Sequence, residues 1–137
     1  MNIGNIIWPN DNQTALNHYL NFLIEALNNE DIVFPDVTEN PIAITKAYLS
    51  RQISDNQRKE ANRAWWSYLE NNDLFRNFSK KEAVAGRIAI CLLSSTPENK
   101  ATLGDSLSWF LEMLWSYGVD TTKTLEKMRE YFDFDKP

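Results

Sequence analysis

The chain predicts an all-α fold, a single-domain bundle of five to six helices, on three observations. Apolar residues recur at three- and four-residue spacing along most of its length. Glycine is scarce, with 4 in 137 residues. Capping residues precede the periodic stretches and helix breakers follow them. The length suits one domain with its own core. A hydrophobic content of 43% beside 24% charged residues excludes wholesale disorder. Residues 1–11 and 133–137 are expected to be irregular, the tail fraying.

The first helix is expected from about Asn12 to Asn28, with Leu16, Leu20, Leu23 and Leu27 as its stripe. Tyr19, Phe22 and Ile24 widen that stripe, which implies burial on more than one side. Asn29–Asn40 contains Pro35 and several acids and reads as a loop. Pro41 suits the first position of a second helix capped by Asn40, with Ile44, Tyr48 and Ile53 facing inward. Ser54 and Gln57 form a capping-box pattern before a third helix, which turns Ala61, Ala64 or Trp65, Tyr68 and Leu69 inward and ends at Asn71–Asn72–Asp73. Ser79 and Glu82 repeat the capping-box pattern before a fourth, with Val84, Ile88, Cys91 and Leu92 on one face and Pro97 as its stop. Asp105 reads as the cap of a fifth helix carrying Leu107, Phe110, Leu111 and Leu114, closed by Gly118. Asp120 caps a sixth with Leu125, Met128 and Phe132. Ile3–Trp8 and Asp31–Val37 are the strand candidates, each without a hairpin partner nearby.

Three features break the ordinary helical pattern. Gly86 lies inside the fourth helix, where glycine costs about 1 kcal/mol against alanine. A close helix–helix approach, covered by the indole of Trp65 or Trp66, would account for it. Adjacent helical residues point about 100° apart, so Trp65 and Trp66 cannot share one core slot. Trp109 falls off the core stripe of the fifth helix. Arg63 and Arg87 lie beside apolar stripes and would pair with a buried carboxylate, Glu60, Glu82 or Asp105.

Composition narrows the function. A net charge of -5 and a pI near 4.9 argue against a nucleic-acid partner, whose phosphates need Lys and Arg. They suit a soluble protein or one that docks on a basic partner. A single cysteine, Cys91, excludes an internal disulfide and fits the cytoplasm. The apolar runs fall short of the ~20 residues of a membrane span, and no signal peptide is visible.

Candidate chemistry is sparse. His18 has no acid or nucleophile beside it in sequence. One histidine and one cysteine cannot supply the roughly four ligands of a closed zinc site. The carboxylates lack EF-hand spacing, the glycines lack a phosphate-binding fingerprint, and Glu-x-x-His pairs for a di-metal site are missing. No catalytic residue, metal or cofactor is therefore expected. The acids of the loop after the first helix, Glu30, Asp31, Asp36 and Glu39, read either as a solvated segment or as an acidic docking surface. Asp73 near a helix end and Trp109 as an aromatic anchor complete the expected partner-binding set.

The run Arg63-Ala-Trp65, an acid-containing turn and Gly86-Arg87-Ile-Ala-Ile-Cys91 resembles helical immunity proteins of bacterial polymorphic-toxin systems. The similarity is confined to that stretch. It implies a small, acidic, cytoplasmic, non-enzymatic protein that neutralises a cognate toxin, a basic domain, by direct contact. The alternative is a helical adaptor or regulator, such as a phage-encoded inhibitor or a scaffold that dimerises through exposed aromatics.

Overall fold

Capping and apolar spacing set the order of elements in the structure, a computed structural model that describes residues 5–134. They run β1 (Ile6–Ile7), α1 (Asn12–Asn28), α2 (Pro41–Leu49), α3 (Asp55–Asn71), α4 (Lys81–Leu93), a 3-10 turn (Pro97–Thr102), α5 (Leu103–Tyr117), α6 (Thr121–Tyr131) and β2 (Asp133–Phe134). The fold is all-α, as expected: 67% helical, with six α-helices and one two-stranded sheet among the described residues. The elements gather into two compact units, one from residues 31–94 and one from the segments on either side of it.

The flanking segments form a unit of α1, the 3-10 turn, α5, α6 and the sheet. Asp11 starts α1 by accepting the Thr14 N–H at 2.8 Å, and Asp120 starts α6 by accepting the Thr122 N–H at 3.0 Å. All seven apolar positions expected on α1 are buried, joined by Ala15 and Ala26. Asp105 is not the cap of α5. The chain runs from the 3-10 turn straight into the helix at Leu103, whose N–H donates to Lys100 O, so the first turn is entered without a side-chain cap. Asp105 lies inside that turn, where its charge faces the positive end of the helix dipole. Gly118 ends α5 at φ 107°, the left-handed conformation glycine adopts without strain. In α6 Thr124 and Met128 are buried, whereas Leu125, expected inward, is only half-buried.

The ends of the described chain are not wholly irregular. Ile6 pairs with Phe134 and Ile7 with Asp133 in antiparallel register. The strand candidate at Ile3–Trp8 thus finds a partner about as distant in sequence as the chain allows, which no hairpin rule could supply; Ile3 and Asp135 lie outside the described residues. Beneath the pair, Phe132 packs edge-on to Trp8 with ring centroids 5.2 Å apart. His18 stacks on Tyr131 at 4.3 Å, and the Tyr131 hydroxyl donates to His18 O at 2.9 Å.

The middle unit is α2, α3 and α4. Asn40 caps α2, with Pro41 at its first position, and the Ser54–Gln57 capping box starts α3 with both bonds formed. The second expected box is absent. α4 begins at Lys81, which puts Lys80 rather than Ser79 at the N-cap, and a lysine side chain has no oxygen to accept a helix N–H; the Ser79 hydroxyl instead donates to Asn77 Oδ1 at 2.6 Å. Ten of the thirteen α4 residues are buried, so this helix is apolar all round rather than on one face.

Gly86 marks the close approach of α3 and α4, but Leu69 covers it, not an indole. A Cβ at Gly86 would stand 2.7 Å from Leu69 Cδ2. Trp65 is fully buried and is the core anchor, while Trp66 is half-buried. Arg58, which sits among polar residues in sequence, is also buried. Its guanidinium lies 4.9 Å from the Tyr48 ring centroid, and Nη2 donates to Leu92 O at 2.8 Å, so one side chain joins all three helices. On α2 the buried residues include Thr45, whose hydroxyl donates to Pro41 O at 2.8 Å, whereas Ile44 is half-buried. Neither Arg63 nor Arg87 finds a buried carboxylate. Arg63 pairs with Glu60 on the exposed side of α3, and Arg87 donates to Phe75 O.

These contacts lead to three expected outcomes. Leu92→Ala, at a site with no solvent exposure, should lower stability by about 2–5 kcal/mol in chemical denaturation; a loss below about 0.5 kcal/mol would mean that α4 packs differently. Gly86→Ala gains about 1 kcal/mol of helix propensity. The buried Leu69 has little room to yield, so overpacking should exceed that gain and leave a net loss of about 1 kcal/mol. A more stable variant would show that the two helices can separate at that point. The third outcome concerns pH. Burial holds His18 below its ordinary 6.5, against the opposing pull of Asp133, so the unfolded chain takes up the proton more readily. The contribution is fully present above pH 6.5 and is lost as pH falls from there through the lower folded value. The caps Asp11 and Asp120 titrate below 3.8 and leave that window clear. Urea midpoints should decline with acidification below pH 6.5, and His18→Gln should flatten the decline; an equal slope in the variant would assign it elsewhere.

Candidate partner-binding surface

The loop of residues 31–40 is held by Trp65. The indole of this α3 residue donates from Nε1 to Glu39 O at 3.1 Å and meets the Phe34 ring edge-on at 6.2 Å. Tyr68, one turn further along α3, closes on the same indole at 5.9 Å. At the loop's end the Asn40 side chain is tied into α2 by bonds from the Ile42 and Ala43 N–H groups. Backbone that would otherwise be a solvated connection is therefore fixed from the core outward.

What this backbone presents is charge interleaved with aliphatic surface. Asp31, Asp36 and Glu39 are exposed, and so are Val33 at 72% and Val37 at 56%. A groove of about 290 Å³ opens beside Glu39. Ile44, Ile53, Ala61 and Ala64 line it together with Gln57, Glu39 and Glu60. Ile44 and Ile53, expected in the core, form part of this half-exposed apolar floor. Glu60 also pairs with Arg63, but an exposed i,i+3 pair of that kind is weak and readily exchanged. The arrangement suits an apolar side chain of a partner flanked by a cation.

Of the other residues expected on a partner surface, Glu30 belongs to the other unit. There it lines a polar cleft of about 450 Å³ with Asp120, Lys123 and Lys127. Asp73 is exposed at the end of α3 in left-handed backbone, φ 58°, and the apolar Leu74 and Phe75 follow it before the cation Arg76. Trp109 is 43% exposed on α5, and Trp115 on the same helix is more exposed, at 69%. Val33 and Val37 were not among the expected surface residues, and Trp115 raises the same question as Trp109. The signal for the valines was present in the run Ile32-Val33-Phe34, apolar residues standing inside an acidic, proline-containing loop.

The candidate chemical groups are placed as follows. His18 is half-buried against Tyr131 and Phe132, with its ring edge-on to the latter at 5.1 Å. Cys91 is buried, and its thiol is pushed up to about 12 by desolvation, against the pull of Arg87, so it is neutral and poorly nucleophilic near pH 7. Among the described residues no three of His, Cys, Asp and Glu are grouped to hold a metal ion, and no helix is long and apolar enough to cross a membrane.

No known protein family matches the chain, and neither the curated proteins nor the solved structures offer a significant match.

Proposed function

We propose that this protein is a bacterial, cytoplasmic binding protein that neutralises a basic toxin domain by direct contact, acting without catalysis. One observation carries the reading: the loop of residues 31–40 exposes three carboxylates and two valines on backbone pinned by Trp65. Free loops of acids are ordinary solvated surface. A loop that keeps valines exposed and its backbone fixed loses less entropy on docking and offers apolar area that excludes water from the charged contacts. The apolar groove beside Glu39 supplies the recess for an anchor side chain. Toxins that act on nucleic acid carry basic clefts, so long-range attraction to Asp31, Asp36 and Glu39 speeds the encounter, while the groove and valines set the register. The resemblance of Arg63–Trp65 and Gly86–Cys91 to helical immunity proteins supports the same reading.

Binding kinetics against any toxin domain encoded beside this protein provide the test. Joint replacement of Asp31, Asp36 and Glu39 by lysine should slow association several-fold at low salt and less at high salt. The same charge change at Glu98, Asp105 and Glu126, exposed positions outside the loop, should alter the rate less. Equal effects of the two sets would reduce the attraction to net charge alone and remove the loop from the interface. A wild-type protein that neither binds nor protects against such a domain would overturn the reading and leave the adaptor in its place.

A further inference from the structure

The turn between α3 and α4 carries the opposite charge to the loop of residues 31–40. From Arg76 to Lys81 the sequence reads RNFSKK, three cations without an acid, in a chain of net charge -5. The next acid, Glu82, makes its charge felt at Tyr68. Arg87 reaches this turn from α4. Its guanidinium carbon lies 4.4 Å from the ring centroid of Phe75, 5.2 Å from Trp66 and 5.5 Å from Phe78. Its Nη2 donates to Phe75 O, but the buried Nε has no hydrogen-bond partner. Besides the neutral Cys91 thiol, the charge acting on it is that of Arg76, and burial and Arg76 together hold its pKa down. Neither arginine forms a salt bridge with a carboxylate among the described residues. A guanidinium half-buried among three rings, with its Nε unpartnered and no carboxylate against it, is costly unless an anion reaches it, and Arg76 follows directly on Phe75, whose carbonyl Arg87 holds.

We propose that Arg76 and Arg87, framed by Trp66, Phe75 and the 40%-exposed Phe78, form a receiving site for a carboxylate on an acidic peptide segment of a partner protein. The guanidinium groups donate charge-assisted hydrogen bonds to the carboxylate, and desolvation by the rings strengthens them. Phe78 gives an adjoining apolar side chain a surface to rest on. A peptide fits better than a polyanion, because the net charge of -5 repels a long run of phosphates while the turn attracts one or two carboxylates locally. The site is independent of the acidic loop and stands whether or not that loop binds a toxin.

The test is a titration of the isotopically labelled whole protein, read at the Nε–Hε resonances of Arg76 and Arg87 and at the Phe78 ring. Three probes are used: the peptide acetyl-Glu-Phe-Glu-amide, its neutral counterpart acetyl-Gln-Phe-Gln-amide, and inorganic phosphate. The acidic peptide should give saturable shifts at all three residues, and the neutral peptide none. Arg76→Ser, at an exposed position that leaves the fold intact, should weaken binding several-fold. Arg87→Lys keeps the charge but loses the planar fork and should weaken it further. Lysine replacements at Asp31, Asp36 and Glu39 should not weaken it, which separates this site from the loop. Absence of saturation, equal shifts with the neutral peptide, or unchanged affinity in Arg76→Ser would overturn the proposal. Phosphate binding as tightly as the peptide would overturn the assignment to a peptide segment.

Discussion

The middle unit turns on Trp65. It has no solvent-exposed surface, and its one polar atom is satisfied by a backbone carbonyl of the loop it holds. The bond does two things at once. It removes the cost of burying an indole N–H, and it makes the path of residues 34–40 a condition of packing the core. Loop and core therefore stand or fall together, and acids spaced along a turn become an ordered surface. Trp66, next in sequence, points about 100° away around α3 and packs on Phe75 at 5.0 Å. The adjacent indoles serve opposite tasks: one fixes the acidic loop, and the other walls the pocket of Arg87. A single helix turn thus organises both charged surfaces of the unit.

Arginine takes three roles here. Arg58 is buried, with a helix carbonyl for a partner and a tyrosine face beneath it, at the C-terminal end of α4 where a cation meets the negative end of the dipole. Arg63 lies on the exposed side of α3 against Glu60, where water screens the pair. Arg87 stands between, desolvated by rings yet reachable from the surface. Position relative to the apolar stripe decides which role a guanidinium takes.

Much of the fold was legible because helical periodicity and capping are local signals. The bounds of α1, the Asn40 cap with Pro41, the Ser54–Gln57 box and Gly118 all follow from side chains within four residues of the backbone they serve. What escaped depends on distant or competing partners. Ser79 forms no box because the helix starts one residue later, with Lys80 at the N-cap, and its hydroxyl turns to Asn77. The pairing of β1 with β2 joins residues more than a hundred positions apart, beyond any turn signal. Arg58 could have been found: it stands seven residues before Trp65 and eleven before Leu69, on their stripe, but its charge argues for solvent. Thr45 and Thr124 were hidden by the same bias toward apolar side chains. Of the candidate surface, the acids could be read as a cluster, whereas the valines among them gained meaning only from the tether to Trp65. The Arg87 pocket was invisible for a related reason, since an arginine beside apolar residues suggests a buried carboxylate, and its actual companions are three rings and a second arginine.

The pairing of β1 with β2 also orders events in time. Residues 31–94 are contiguous and hold α2, α3 and α4, so the ribosome delivers that unit as one stretch. The other unit is split. α1 emerges early with nine residues that the finished fold buries, yet its neighbours within its own unit, the 3-10 turn, α5 and α6, emerge only after residue 96. Throughout synthesis of the middle stretch that apolar helix has none of these partners, and surface left uncovered in that interval is the kind that drives self-association of a nascent chain. Closure of β1 onto β2 is a late step, available only once α6 and the strand after it have left the tunnel.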